Sequence, residues 1–441
     1  MNSRKIIKDI LDSIFYKGAY SNIELNKRLN ESDLNDKDKG LVTEVVYGTV
    51  KYKKTIDYII TTLVADFNKI DKRILNILRS AIYQIKYLDR VPDFAVVNEA
   101  VNLGKKISIN SSKFINGVLR NFIRNKDAEI KSNISDIEYL SIEYSFEPWM
   151  VKLFYEQYGK ENCIKILNGL NSTPSVTVRV NAVKSDFDEV FDELEVQGYT
   201  VEEGSMCPEA INIIKGKSIE NNPLFSEGKI TVQDESAMLV APLLELEGAP
   251  KVLDLCSAPG GKTTHIAEIL ENKGLVVGCD IYEHKLQLVN ENKLRLGINN
   301  IETKLLDAAK YNSEYREWAD RILVDAPCSG LGIIRKKPEI KWTKSQKDLN
   351  DLINIQRDIL KNAWLYLKPD GIMVYSTCTL NKKENEENIK WLRENFKDVQ
   401  LEKIYLGDSD NLMYNEDGSV TILPNEFLDG FYIAKLRKLS R

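Results

Sequence analysis

Histidine is scarce in this chain, which has only His265 and His284 among its 441 residues. Both lie in stretches that we predict to be helical, and we assign neither of them a catalytic role. Mechanisms that use histidine as a general base or as a metal ligand are therefore poorly supplied. The chemistry of this protein must come from Cys, Asp, Glu or Lys.

The cysteines show none of the spacings that mark zinc sites or redox pairs. No C-x-x-C pair occurs, and no nearby histidine completes a metal site. We therefore expect no metal and reduced thiols, and a reduced thiol can itself be a reactive group. The cysteines are Cys163, Cys207, Cys256, Cys279, Cys328 and Cys378.

Long apolar runs are also absent. No segment approaches the roughly 18 consecutive apolar residues of a membrane-spanning helix, and the N-terminal residues mix charged with apolar side chains. We expect a cytoplasmic protein that has no membrane partner. A length of 441 residues exceeds what one hydrophobic core supports, so two or three domains are predicted.

The net charge is −5, but basic and acidic residues are unevenly distributed along the chain. Residues 1–130 contain 23 basic and 16 acidic residues, a net charge of +7, which leaves −12 for the remainder. A basic N-terminal third suits a nucleic-acid-binding module joined to an enzyme, because phosphate contact needs only a local positive face. A solvated helical surface would give the same imbalance, so charge alone leaves both interpretations open.

Residues 1–130 are predicted to form an all-helical domain, because apolar residues recur at helical spacing from residue 3 to about residue 125. Asp71 and Ser112 lie where helix N-caps are expected. A polar, aperiodic segment follows from Asn125 to about Asp136 and is predicted to be a linker.

Residues 131–240 are predicted to contain the rest of this linker and a small α+β domain. Strand-like segments at residues 176–180 and 210–214 flank a stretch, residues 187–197, with the spacing of a helix.

Residues 241–441 are predicted to form an α/β domain of the doubly wound, Rossmann-like kind. Short buried strands alternate there with helices, which is typical of a parallel sheet, and ligands bind at the carboxyl ends of such strands. The strands are predicted at residues 252–255, 275–279, 322–324 and 372–375.

The first of these strands leads into a glycine-rich turn that opens a helix. Glycines let the backbone approach a ligand closely, and a helix N-terminus offers free N–H groups. The turn matches neither G-x-G-x-x-G nor G-x-x-x-x-G-K-[ST], so alone it indicates nucleotide binding only weakly. Its residues are Cys256, Ser257, Ala258, Pro259, Gly260, Gly261 and Lys262.

Carboxylates follow the next two strands. Asp280 lies 20 residues after Gly260, where it can accept hydrogen bonds from ribose hydroxyls. Asp307, in Leu305-Leu-Asp-Ala308, ends a further strand, the third in chain order, which comes before residues 322–324. There it can face an adenine amino group. Polar groups at three successive strand ends predict a cofactor that contains adenosine.

Two cysteines follow the fourth and fifth strands. Cys328 lies in Asp325-Ala-Pro-Cys-Ser-Gly330, and Cys378 lies in Ser376-Thr-Cys-Thr379. Both thiols are expected on the cofactor side of the sheet. A cysteine is most often a small buried hydrophobic residue, and we keep that interpretation for the other four.

These two motifs and Ser257-Ala-Pro-Gly-Gly-Lys262 together resemble the Nol/Nop/Sun family of RNA 5-methylcytosine methyltransferases. The helical N-terminal third resembles the antitermination factor NusB, and the combination is similar to family members that methylate small-subunit ribosomal RNA. The resemblance covers essentially the whole chain, including its ending Asp429-Gly-Phe-Tyr-Ile-Ala-Lys435. It implies S-adenosylmethionine as the cofactor, with S-adenosylhomocysteine as its product.

The resemblance also implies how the reaction proceeds. Cytosine C5 is a poor nucleophile, so a thiolate first adds to C6 and activates C5 for methylation. Cys378 matches the family's nucleophile, and Cys328 matches the second cysteine, which helps to release the product. Asp325 matches the carboxylate near both the methyl donor and the base. We add the hypothesis that Lys262 stabilises the Cys378 thiolate.

Ribosomal RNA is the partner that the resemblance implies, either as naked RNA or within an assembling small subunit. Arg335, Lys336 and Lys341 lie in a basic, aromatic-ended segment that is similar to one in the family, and we expect phosphate contact beside a flipped nucleotide. Arg179 and Asn181 resemble another stretch near the RNA path, which makes the α+β domain an expected RNA contact. A monomer is the default expectation.

Other functions compete with this one. A DNA cytosine-5 methyltransferase uses the Cys of a Pro-Cys motif as its nucleophile, and Pro327-Cys328 is present, although Thr377-Cys378 fits the RNA type instead. A NusB-like RNA-binding regulator would leave three intact catalytic motifs unexplained. Methylation of a tRNA, of another RNA or of a small molecule stays open from the sequence.

Overall fold

The computed structural model describes residues 3–126, 130, 134–248 and 250–440. The chain divides into two compact units. The first contains Met1–Asn171 and Ile334–Lys344, and the second contains Ser172–Ile333 and Ser345–Arg441. Among the described helices, none is long and apolar enough to cross a membrane.

The first unit is helical, as the spacing of its apolar residues predicts. Its helices are α1 (Ser3–Lys17), α2 (Ser21–Asn30), α3 (Asp36–Lys51), α4 (Lys53–Leu63), α5 (Lys72–Tyr87), α6 (Asp93–Lys105), α7 (Ile109–Arg124), α8 (Asp136–Glu143) and α9 (Pro148–Asn171). Every residue of α5 from Ile74 to Ile85 is buried, so this helix forms the centre of the unit.

Local side-chain caps fix where these helices begin. Asp71 caps α5, because its carboxylate accepts a hydrogen bond of 2.8 Å from the backbone N–H two residues later. The cap predicted at Ser112 is wrong, since α7 already begins at Ile109. Ser108 is the cap, and its hydroxyl accepts from the Ser111 N–H at 3.0 Å. A stretch with several serines offers several candidate caps, and the pattern alone does not choose among them.

Helices α8 and α9 belong to the helical unit, whereas the sequence analysis placed residues after 130 with the next domain. Ser145, in the turn between them, accepts a hydrogen bond of 2.9 Å from the Lys54 N–H at the start of α4. Leu140 and Phe146 are buried. This packing against α4 is a long-range contact, so local periodicity does not reveal it.

The second unit begins with a small antiparallel sheet of strand order β2-β3-β1-β4. Its elements are β1 (Val176–Val180), α10 (Phe187–Val196), β2 (Thr200–Glu203), β3 (Ala210–Lys215), α11 (Pro223–Ser226), β4 (Ile230–Val232) and α12 (Glu235–Met238). Val190 and Leu194 of α10 pack into the core of this sheet. The predicted strands and helix are therefore present.

A larger sheet follows, and its strands alternate with helices along part of the chain. They are β5 (Lys251–Asp254), α13 (Gly261–Ile269), β6 (Leu275–Asp280), α14 (Glu283–Leu296), β7 (Ile301–Leu305), β8 (Ala319–Asp325), α15 (Ile340–Thr343), α16 (Gln346–Tyr366), β9 (Leu367–Thr377), α17 (Glu386–Asn395), β10 (Val399–Glu402), β11 (Leu412–Tyr414), β12 (Val420–Ile422) and β13 (Phe431–Lys438). Of these, α15 belongs to the first unit.

The strand order of the larger sheet is β11-β12-β13-β9-β8-β5-β6-β7, and β10 pairs with β13. The strands from β7 through β5 to β9 are parallel, as the alternation of strands and helices predicts. Strand β13 is antiparallel to β9, so the sheet is mixed. The predicted fold class, with helical, α+β and α/β parts, is confirmed.

Buried polar side chains hold the small sheet to the larger one within the second unit. The Arg179 guanidinium on β1 pairs with the Glu268 carboxylate on α13 at 2.7 and 3.0 Å. Asn181 donates to the carbonyl oxygens of Gly228 and Leu296 at 2.8 and 2.9 Å. Both side chains have no exposed surface. The expectation that they contact RNA is therefore corrected, because their polar groups are engaged inside the protein.

We expect Arg179→Met to lower the stability of the second unit by about 3–5 kcal/mol, because it leaves Glu268 charged and buried without its partner. Urea unfolding followed by circular dichroism measures this change. Adding Glu268→Gln should restore part of the loss, since the isolated charge is then removed. Arg73→Met, which breaks an exposed pair with Asp71, is the control and should change the midpoint little. Equal midpoints for the Arg179 variant and this control would contradict the account.

Candidate active site

The carboxyl ends of the parallel strands carry the residues that the sequence analysis selected. Asp280 and Asp325 are the last residues of β6 and β8, and Asp307 follows β7. Cys378 comes directly after β9, and Cys328 lies three residues beyond β8. Parallel strands end at the same edge of a sheet, so the fold brings these groups to one edge.

The glycine-rich loop joins β5 to α13 at this edge. Gly260 has a φ of 106°, a conformation that favours glycine. A Cβ atom at Gly260 would also lie 3.2 Å from the Cα atom of Val289, closer than ordinary contact. Helix α13 begins at Gly261, so the N–H groups of its first turn lie in the loop. The Ala258–Pro259 peptide bond is cis.

The buried hydroxyl of Ser257 has no hydrogen-bond partner in the part of the chain that the structure describes. A buried polar group without a partner costs free energy, and a ligand that hydrogen-bonds to it removes that cost. Gly278 on β6 lies beside it, since a Cβ atom there would be 3.2 Å from Ser257 Oγ. An unpaired hydroxyl beside closely approaching glycines is the arrangement of a ligand cradle.

Turns fix the two carboxylates that follow this loop. Asp280 is buried and accepts a hydrogen bond of 3.0 Å from the Tyr282 N–H. Asp307 accepts from the Ala309 N–H at 3.2 Å and pairs with Lys310 at 3.1 Å. Both are therefore held at strand ends, where the sequence analysis expects the ribose and the adenine of a nucleoside.

The thiols of Cys328 and Cys378 lie together, with 3.2 Å between their Sγ atoms. Backbone hydrogen bonds join the loops that carry them, because the Gly332 N–H donates to the Cys378 carbonyl oxygen at 2.9 Å. The Gly430 N–H donates in turn to the Gly332 carbonyl oxygen at 2.9 Å. A Cβ atom at Gly332 would overlap the Gly430 carbonyl group, so this close approach requires glycine.

The two thiols differ in their electrostatic surroundings. The hydrogen bond with Cys378 raises the pKa of Cys328, and burial, the Cys378 charge and the Glu384 carboxylate raise it further. Cys328 therefore keeps its proton at neutral pH. Either sulfur can donate in the hydrogen bond between them, and the retained proton suits Cys328 to be the donor.

A partly buried ion pair lies beside the thiols. The Lys262 ammonium is 2.7 Å from Asp325 Oδ2, and the Ser376 hydroxyl donates to Asp325 Oδ1 at 2.8 Å. Burial alone would lower the pKa of Lys262, but the Asp325 carboxylate and the nearby Cys378 sulfur raise it above its usual value. Lys262 therefore supplies a fixed positive charge next to Cys378.

The other four thiols have surroundings that keep them protonated. Burial raises the pKa of Cys163 to about 11 and that of Cys279 to about 12. Burial, together with neighbouring carboxylates, also raises the pKa of Cys207 and of Cys256. Such thiols are poor nucleophiles, in agreement with the hydrophobic role that we assigned to them.

The basic segment after the Cys328 loop does not present the surface that the sequence analysis expected. Lys341 is completely buried in the first unit and donates to the Lys51 carbonyl oxygen at 3.1 Å and to Asn171 Oδ1 at 2.7 Å. Arg335 is also buried, whereas Lys336 is partly exposed. The expectation that Lys341 and Arg335 contact phosphate is therefore corrected, because both side chains are buried. The Trp342 indole N–H donates to a backbone carbonyl of the same unit, so the aromatic end of this segment is a packing residue.

Glu384 is a site residue that the sequence analysis missed. It is completely buried and accepts hydrogen bonds from Ser329, the residue after Cys328. Its sequence surroundings, Asn381-Lys-Lys-Glu-Asn-Glu-Glu387, look like a solvated turn. The one available signal is that this polar run follows the Cys378 motif directly.

Three protein-family models match successive regions of this chain. The model "16S rRNA methyltransferase RsmB/F" matches residues 241–437, the NusB family model matches residues 1–124, and a ferredoxin-like domain of RsmF/B-like methyltransferases matches residues 146–220. A solved structure, "Crystal Structure of PH0851", has a TM-score of 0.82 with 24% identity over 99% of both chains, which supports the fold.

Curated relatives extend the similarity over the whole chain. "Probable ribosomal RNA small subunit methyltransferase B" of Bacillus subtilis (strain 168) is 38% identical over 99% of this chain and 98% of its own length. The protein of the same description from Synechocystis sp. is 33% identical over 99% of this chain and 100% of its own length. With these motifs at one sheet edge, the chain belongs to the RsmB/F family of 16S rRNA methyltransferases and carries a NusB-family region at its N-terminal end.

Proposed function

We propose that this protein transfers a methyl group from S-adenosylmethionine to C5 of a cytosine in 16S ribosomal RNA, through a covalent bond between Cys378 and C6 of the base. The observation that carries the proposal is the pair of thiols with 3.2 Å between their sulfur atoms. One of them, Cys328, is held protonated, and the other, Cys378, lies next to the Lys262 ammonium.

The residues at the sheet edge fit the proposed cofactor. The loop from Cys256 to Lys262 offers a close backbone approach and an unpaired hydroxyl on Ser257. Asp280 would accept from the ribose hydroxyls, and Asp307 would accept from the adenine amino group. When bound, S-adenosylmethionine supplies an electrophilic methyl group and leaves as S-adenosylhomocysteine.

Cys378 begins the reaction on the base. Its thiolate forms a bond to C6, and the electron pair of the C5–C6 double bond makes C5 nucleophilic toward the methyl group. Lys262 favours the thiolate by its positive charge. Asp325, held by Lys262 and Ser376, would orient the pyrimidine ring at N3 and the N4 amino group.

Cys328 completes the reaction by moving protons. In one step its own sulfur takes the proton from C5, it gives its former proton to the Cys378 sulfur, and the bond from that sulfur to C6 breaks with its electron pair going to the sulfur. The electron pair of that C5–H bond restores the double bond between C5 and C6. The proton on Cys378 passes to solvent when this thiol next ionises, so each turnover releases one proton.

The helical N-terminal region is proposed to dock the RNA substrate. Residues 1–130 have an excess of seven positive charges, and the NusB family model matches most of them. Partly exposed Lys336 is kept as a proposed phosphate contact. We further propose that the protein is a cytoplasmic monomer. Its substrate would be naked ribosomal RNA or an assembling small subunit.

Cys328→Ala should accumulate a covalent RNA–protein adduct, because the C6–sulfur bond forms but breaks slowly. Cys378→Ala should form none and should lose methylation. Labelled 16S RNA that migrates with the protein in denaturing electrophoresis reports the adduct, and methyl transfer from labelled cofactor reports turnover. An adduct formed by the Cys378 variant, or full methylation by it, would overturn the assignment of the nucleophile.

Lys262→Met should move the midpoint of Cys378 alkylation by iodoacetamide to higher pH. The cation favours the negatively charged thiolate, so its removal makes ionisation of the thiol harder. Mass spectrometry of the peptide that contains Cys378 follows the rate at each pH. Lys273→Met, which breaks an exposed pair with Glu271, is the matched control and should leave the midpoint unchanged. We would abandon the role of Lys262 if both variants behaved like the unaltered protein.

A further inference from the structure

Glu384 occupies the turn between β9 and α17 and is completely buried. Each of its two carboxylate oxygens accepts two hydrogen bonds. Oε2 accepts from the Ser329 N–H at 2.9 Å and from Gln356 Nε2 at 3.0 Å. Oε1 accepts from the Ser329 hydroxyl at 2.6 Å and from Asn381 Nδ2 at 3.1 Å. These donors are neutral groups, so several hydrogen bonds offset the cost of burying the charge.

The partners of Glu384 belong to both cysteine loops. Ser329 directly follows Cys328, and its hydroxyl is also 2.7 Å from the hydroxyl of Thr379, which directly follows Cys378. On the other side of Cys328, Gln356 donates to the Pro327 carbonyl oxygen at 2.9 Å. The backbone is therefore fixed on both sides of Cys328 by groups that Glu384 holds in place.

Hydrogen bonds also fix the backbone around Glu384, so the position of its carboxylate is well defined. The Tyr375 hydroxyl, on β9, donates to the Glu384 carbonyl oxygen at 2.6 Å. Asn385, the next residue, donates from Nδ2 to the Thr379 carbonyl oxygen at 2.9 Å. This turn thus holds the Cys378 loop through the Asn385 side chain and the Cys328 loop through the Glu384 carboxylate.

We propose that Glu384 is a positioning residue that holds Cys328 against the Cys378 sulfur for release of the methylated base. The inference rests on the proposed function, because release needs proton transfer between these two thiols. The negative charge of Glu384 also opposes ionisation of Cys328, in accordance with a thiol that must arrive with its proton.

Glu384→Gln tests the proposal, because the amide nitrogen faces two of the four donors and cannot accept from them. We expect this variant to accumulate the covalent RNA adduct by about tenfold or more over the unaltered protein, since displacement of a proton-transfer group slows release. Cys328→Ala is the positive reference. A merely structural role would instead lower adduct and methylated product in the same proportion, and that result would overturn the proposal.

Glu235→Gln is the matched control. Glu235 is also completely buried and accepts a backbone hydrogen bond of 2.7 Å from Cys207, a residue outside the two cysteine loops. This variant should not accumulate adduct, whatever its effect on stability. If it accumulated as much adduct as the Glu384 variant, the effect would be general and the proposal would be wrong. If Glu384→Gln does not fold, Ser329→Ala takes its place in the test. It removes one donor to Glu384 and the link to Thr379, and it should accumulate adduct in smaller amount.

A second measurement separates this inference from the proposed function. Diamide takes one hydrogen from each of two adjacent thiols, forming a disulfide and a hydrazine, and its rate reports how closely Cys328 faces Cys378 without RNA. We expect slower disulfide formation in Glu384→Gln than in Glu235→Gln. An equal rate would overturn the positioning role. Failure of Cys328→Ala to form any adduct would overturn the proposed function instead, and the diamide rates would still decide the role of Glu384.

Discussion

Parallel pairing of β8 with β9 is the constraint on which the candidate site depends. In this register Asp325, the last residue of β8, lies beside Ser376, one residue before the end of β9. The chain beyond each strand therefore leaves the sheet at neighbouring points, and each loop carries one thiol. Residues 50 positions apart in sequence come to have their sulfur atoms 3.2 Å apart. A slip of one residue would turn the side chains of one strand to the opposite face and separate these groups.

The charges around the thiols give the two residues different properties. Lys262 lies at the start of α13, where the glycine-rich loop also places its backbone N–H groups, and Asp325 fixes its ammonium group. Cys328 is surrounded by Cys378 and Glu384, which oppose its ionisation. The sheet edge therefore carries two thiols with different neighbours, and the neighbours of Cys328 keep its proton in place. Asymmetric surroundings of this kind are how proteins assign different roles to identical side chains.

Much of this arrangement could be predicted from the sequence, because the motifs lie at strand ends. The periodicity of short apolar strands locates the edge of the sheet, and the loop from Cys256 to Lys262 and the two cysteines follow from it. The roles of Arg179 and Lys341 could not be predicted in this way. A basic residue looks the same in the sequence whether its side chain faces solvent or a buried partner, and only the tertiary contacts with Glu268 and Asn171 distinguish the two cases.

Glu384 illustrates the same limit for the site itself. Its partners Ser329 and Gln356 are 55 and 28 residues away in sequence, so no local pattern connects them. A carboxylate within a run of Lys, Asn and Glu is typical of an exposed turn. It becomes part of the site only because α16, β9 and the Cys328 loop close around it. Groups that touch a ligand tend to lie in motifs, whereas the groups that position them are scattered along the chain.

The central claim is that Cys378 forms the bond to the base, and a trapped complex tests it most directly. 16S RNA in which cytosine carries fluorine at C5 should block release, because fluorine cannot leave as a cation after methyl transfer. Incubation with S-adenosylmethionine, digestion and tandem mass spectrometry then identify the residue attached to the nucleotide. The account predicts a methylated fluorocytidine bound to Cys378. Attachment to Cys328, or methylation of the fluorinated RNA without any covalent complex, would contradict it.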